Sequence, residues 1–139
     1  MALPVDINYL AVVVAAAVSI VLGMLWYGPL FGKAWMKLMG ITPKMMAAAK
    51  KKGMAKSFTC MIVVALVVSY VLAHFVDYLQ AATFVDGMTT GFWLWLGFMA
   101  TVQIGSVLWE GKPFKLWIIN AGFNLVEMLL MGGILAVWV

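Results

Sequence analysis

Four apolar runs constrain this chain more than any other feature. They lie at about 7–29, 57–79, 88–108 and 116–138, and Lys, Asp and Glu gather mostly between them. Each run supplies the ~20 residues that a helix needs to cross the hydrocarbon core of a bilayer. A water-soluble fold of this size has no room to hide them. Hydrophobic residues make up 66% of the 139 and charged residues 10%, where an average soluble chain is nearer ~45–50% and ~25%. The same arithmetic excludes disorder. Membrane strands would alternate in polarity, and 11–18 and 61–68 do not. The pattern predicts an all-α polytopic membrane protein, a four-transmembrane-helix bundle forming a single membrane domain over 1–139.

The lysines orient it. All nine fall in two loops, seven at Lys33, Lys37, Lys44, Lys50, Lys51, Lys52 and Lys56, and two at Lys112 and Lys115. The opposite side holds Asp6, Asp77 and Asp86. Cytoplasmic loops carry the lysine excess, so both termini are expected outside. The N-terminus has no basic stretch of the kind that opens a cleavable signal peptide, so the first apolar run is expected to be retained. Aromatic residues mark the two expected interfaces: Trp26, Tyr27, Trp109 and Trp117 on one side, Tyr9, Tyr78, Trp93 and Trp138 on the other. Such belts anchor spans at the headgroups.

The basic loop, 30–56, is expected to be ordered. Trp35, Leu38 and Met39 share one helical face. Thr42 reads as an N-cap with Pro43 at the first helical position, and Gly53 as a stop. A short amphipathic helix of this composition would lie on the anionic cytoplasmic leaflet.

Three longer stretches carry a resemblance: LWYGPLFGKAWMKLMGIT at 25–42, FWLWLGFMAT at 92–101 and EGKPFKLWIINAGFNLV at 110–126. In this order they are similar to a bacterial four-span integral membrane family, domain-of-unknown-function family 1761. The resemblance implies a small multi-pass protein of the bacterial cytoplasmic (inner) membrane. It brings no activity and no catalytic residues.

Helices in lipid associate through close backbone packing and polar contacts. Ala11, Ala15, Ser19 and Gly23 form a small-residue ridge at spacing four on the first span, and Gly97, Thr101 and Gly105 form one on the third. Packing inside one bundle is the expected use of both, with a dimer seam as the alternative. LFGKAW at 30–35 and WEGKPF at 109–114 both follow odd-numbered spans, a faint echo that two parallel hairpins would explain.

Glu127 needs a reason, since it sits near the middle of the fourth span, too deep to snorkel. An ionised carboxylate there is costly unless protonated, paired or hydrated. Asn120, Asn124 and Glu127 follow an i, i+4, i+7 spacing, so one face of that helix is polar from its cytoplasmic end to the midplane. The available partners are Gln103, His74, Asn8 and Ser19. A protonated Glu127 bonded to Gln103 or an Asn is the cheapest static arrangement. Asp77, one turn from His74, is expected to hold it. Glu127, Asn124, Asn120, Gln103 and His74 form the candidate polar membrane site.

Several classes drop out. The chain has no Arg, and its aromatics lie in apolar runs, so no nucleic-acid partner is expected. Cys60 alone can form neither an intramolecular disulfide nor a thiolate metal site, and reads as a small buried hydrophobe. No catalytic constellation, cofactor motif or metal set is visible. Two functions remain: a proton- or cation-coupled small-solute transporter or channel subunit using the midplane Glu, or an accessory scaffold packed against a larger membrane complex. The lipid bilayer is the expected partner under both, with a homo-oligomer as a further option.

Overall fold

The computed structural model describes residues 5–138. Among these it has six helices and no strands. Four are long and apolar enough to cross a membrane: α1 (Tyr9–Leu30), α4 (Ala55–Tyr78), α5 (Phe84–Leu108) and α6 (Phe114–Val137). Two short helices, α2 (Gly32–Met39) and α3 (Pro43–Lys52), fill the basic loop.

The helix ends follow from local chemistry. Asn8 caps α1, its side chain accepting from the Ala11 N–H at 3.2 Å. α2 stops at Gly40, whose φ of +72° suits a residue without Cβ. There the Gly40 N–H reaches the Lys37 carbonyl and the Ile41 N–H reaches Met36, the paired bonds of a Schellman stop. Thr42 accepts from the Met45 N–H at 3.2 Å, with Pro43 following, and Gly53 ends α3 at φ +86°. α5 begins four residues before the predicted 88. Thr83 and Asp86 close a reciprocal capping box that starts the helix at Phe84.

Two spans widen locally into five-residue π-helical turns, Trp26–Leu30 in α1 and Leu96–Ala100 in α5. The first surrounds Pro29. Proline has no N–H to give to the carbonyl four residues back, and the Phe31 N–H instead reaches the Trp26 carbonyl at 2.8 Å.

α6 is the centre of the bundle. It packs against α1, α4 and α5 and touches α2, and its closest pairing is with α5. That pairing rests on glycine. A Cβ on Gly87 would collide with the Gly132 carbonyl, and one on Gly91 with the Met128 carbonyl. The two backbones are therefore in direct contact. α1 pairs most closely with α4, where the buried Ser69 hydroxyl donates to the Val12 carbonyl at 2.8 Å. Ala11, Val12, Ala15, Leu72, Ala73, Val76, Met128, Met131, Leu135 and Ala136 form one contiguous cluster of buried apolar residues. All lie in the half of the bundle that bears Asp6 and Asp77.

The ridge expected on the first span is buried at Ala11, Ala15 and Ser19, with Gly23 half-buried against Phe123. The ridge expected on the third span is not a contact. Among the described residues Gly97 has nothing within 4 Å of its Cβ position, Gly105 meets only Trp109 just beyond the end of its own helix, and Thr101 is exposed. Gly87 and Gly91 seat the helix instead. They lie ten residues earlier than Gly97 and Thr101, on a different side of the helix at ~100° per residue. Cys60 is exposed on the outside of α4, not buried.

Candidate functional site

α6 carries a line of polar side chains toward the lysine-bearing end, and each is met by a neighbouring helix. Deepest is Glu127, 7% exposed. Its Oε1 accepts from the Ser19 hydroxyl of α1 at 2.6 Å. The other carboxyl oxygen takes no bond from the described residues. One turn outward, the Asn124 Oδ1 accepts from Gln103 Nε2 of α5 at 3.2 Å. One turn further, the Asn120 Oδ1 accepts from the Tyr27 hydroxyl of α1 at 2.8 Å. With a rise of about 1.5 Å per residue, this line spans ~10 Å of α6. Glu127 lies ~15 Å from the nearer end of α6. A hydroxyl in the middle of α1 therefore meets a carboxyl in the middle of α6.

Glu127's partner differs from the expected one. Gln103 is committed to Asn124, and Ser19 reaches Glu127 because the small residues of α1 let the two helices close on that face. Asn8 is spent on the α1 cap. His74 does not join the group: its Nδ1 bonds the Tyr70 carbonyl of its own helix at 2.9 Å, and its ring meets Tyr70 edge-on. The expected support from Asp77 is replaced by that intrahelical bond.

Tyr27, expected as an interfacial anchor, is part of the polar line. The signal that places it there is spacing: Ser19, Gly23 and Tyr27 continue the same every-fourth-residue ridge. Three tryptophans also act as fasteners. Trp26 and Trp95 donate their indole N–H to the α6 carbonyls of Ile119 and Ala121, at 2.9 and 2.7 Å. Trp117 of α6 donates to Ala100, the last residue of the α5 π turn, at 3.1 Å. An indole N–H turned away from water needs such a partner. By contrast Trp93 and Trp109 are well exposed, as belt residues should be.

The outer part of the polar line borders a cleft of about 420 Å³ lined by Tyr27, Gln103, Ser106, Trp117, Asn120, Phe123 and Asn124. It lies toward the lysine-bearing ends of α1 and α5, with α6 contributing four of these residues. One atom of that lining set is unsatisfied: the buried Oε1 of Gln103 has no hydrogen-bond partner among the described residues. A second cavity, about 590 Å³, lies at the opposite end and includes Asp6, Asn8, Asp77 and Trp138. Among the described residues no group of three or more His, Cys, Asp or Glu could hold a metal ion.

No curated protein and no solved structure matches the chain. The family described as "Protein of unknown function (DUF1761)" matches residues 10–136, through all four apolar helices and the polar line. The chain therefore belongs to DUF1761, as the three sequence stretches implied.

Proposed function

We propose that this protein is a proton- or cation-coupled small-solute transporter, or the corresponding channel subunit, with Glu127 as the exchanging carboxyl. The observation that carries this reading is the asymmetry around Glu127. On one side, three interhelical hydrogen bonds and an open cleft lead outward. On the other, Met128 and Met131 are packed in the apolar core, and the cavity at that end comes no nearer along α6 than Leu135, two turns away. A carboxyl approached more closely from one side than from the other is what a carrier presents in one of its access states. In this reading the lysine loops are cytoplasmic, the termini are external, the membrane is the bacterial inner membrane, and the protein moves solutes without chemically altering them.

Proton flux in proteoliposomes under an imposed cation gradient tests the reading. Wild-type protein should show cation-dependent proton movement, and Glu127→Gln should fold normally and lose it. Equal flux from both would exclude Glu127 as the coupling group. Labelling of single cysteines placed at Lys51 and Asp86 tests the orientation, and Lys51→Cys labelled from outside would reverse it.

A second reading rests on the outward ridge of α5. Gly97 and Thr101 lie on the outside of the bundle near exposed Phe98 and Val102. A scaffold subunit would offer such a surface to a larger complex. Co-purification of stoichiometric partners that Gly97→Val abolishes would favour it.

A further inference from the structure

The two outer walls of the cleft are held to α6 very differently. The α1 wall is tied down. Trp26 and Tyr27 each bond α6, and Gly32 packs so closely behind them that a Cβ there would collide with the Tyr27 carbonyl. The α5 wall is Gln103 and Ser106, and their segment has little to hold it. Up to Ala100, α5 is seated by Gly87 and Gly91 and by the indole bonds of Trp95 and Trp117. From Thr101 to Trp109 no residue is buried. There, among the described residues, Gln103 to Asn124 is the only side-chain hydrogen bond to another helix.

The backbone changes at the same place. The π turn Leu96–Ala100 gives way to two short helical pieces, Thr101–Gln103 and Gly105–Leu108, which meet at Ile104. A π turn within a helix often marks a functional position, and such breaks are where one half of a helix bends against the other. The far end is tethered by the connection 109–113, where Gly111 takes a φ of +69°.

We propose that residues 101–108 are a gate that swings on the α5 π turn, with the Gln103–Asn124 bond as its latch, and that opening widens the path from the lysine-bearing end toward Asn124 and Glu127. The closed position carries a cost, since the buried Gln103 Oε1 has no partner among the described residues. Swinging outward hydrates the whole amide, which offsets the loss of the Asn124 bond. This deepens the transport reading by naming the part that controls access to Glu127, and it rests on that reading for its purpose. The motion itself is separable from flux.

Pulsed electron paramagnetic resonance on the full chain in nanodiscs tests it, in a Cys60→Ala background. One spin-label pair sits at Val102→Cys and Ile118→Cys, and a control pair at Val85→Cys and Val137→Cys at the other end of the same two helices, all four native side chains being exposed. The first pair should give two distances and the control pair one. Asn124→Leu leaves Gln103 with no partner in the closed position, so it should raise the ratio of long to short distance about threefold, the shift that one intramembrane hydrogen bond controls. If that variant does not fold, the wild-type distances still decide. A single distance from the first pair, equal spread in both pairs, or an unchanged ratio in a folded Asn124→Leu overturns the proposal. Two distances with no proton flux support the gate and break the transport reading. Proton flux with a single distance does the reverse.

Discussion

In the half of the bundle that bears Asp6 and Asp77, α5 and α6 meet backbone to backbone, Gly87 and Gly91 against Gly132 and Met128. In the half toward the lysine loops, helices meet through side chains. Indoles reach backbone carbonyls, Tyr27 reaches Asn120 and Gln103 reaches Asn124. The first arrangement leaves no room between α5 and α6, and the cavity at that end is bordered instead by α1, α4 and α6; the second leaves a cleft that α5 itself lines. Lipid offers no hydrophobic force to drive helices together, so each half needs its own adhesive. Shape complementarity suits a region that stays closed, and exchangeable hydrogen bonds suit one that must admit a guest. Glu127 sits at the boundary, with Met128 in the core and Asn124 on the cleft.

This difference between the halves predicts a ranking of substitutions. The largest effect should come from Gly91→Val. Its Cβ would meet the Met128 backbone, which cannot swing aside as a side chain can. A loss of about 3 kcal/mol, the upper end for overpacking, should appear in detergent-denaturation curves. A near-neutral result would show that α5 and α6 are not in backbone contact, and would remove the contrast between the halves.

Glu127→Leu comes next. It leaves the Ser19 hydroxyl without an acceptor in a buried setting, at about 1–3 kcal/mol. Glu127→Gln keeps an acceptor for Ser19 and should cost about 1 kcal/mol or less, in line with hydrogen bonds inside membranes. Equal losses for the two variants in the same denaturation assay would mean that the Ser19 bond contributes nothing.

Tyr27→Phe removes one bond at the mouth of the cleft while keeping the ring against Phe123 and Trp35. About 0.6 kcal/mol is expected. A loss several times larger would mean that the polar half is as rigid as the glycine half. The smallest effect belongs to Gly97→Val, within about 0.5 kcal/mol for the isolated chain, because nothing lies near that position. Thermal unfolding of Gly91→Val beside Gly97→Val reads the contrast directly, since the two glycines share one helix and differ in what faces them.

Much of the architecture is legible in the residues. The four spans, the α3 cap at Thr42 and the stop at Gly53 depend on neighbours in sequence, so local chemistry fixes them. The start of α5 is written in the Thr83–Asp86 spacing, but hydropathy alone masks it because Asp86 interrupts the apolar run. The packing side of α5 is not legible. Small residues recur every four positions on more than one side of that helix, and periodicity cannot say which side meets α6. The polar line on α6 is readable as a face, from Asn120, Asn124 and Glu127. Its partners are not, since choosing Ser19 over Gln103 depends on how closely α1 approaches.

The sequence by itself determined that this chain lives in a bilayer, how many times it can cross, where the lysines gather and that Glu127 needs company. These follow from apolar length, charge placement and helical repeat, each a property of a segment taken alone. Only the tertiary structure decided that Ser19 provides that company, that Gly87 and Gly91 seat α5 on α6, and that Gln103 reaches Asn124 beside the cleft. Those outcomes depend on distances between helices that are far apart in sequence. In lipid those distances are set by which small side chains let two backbones touch, a choice that becomes definite only when all four helices pack at once.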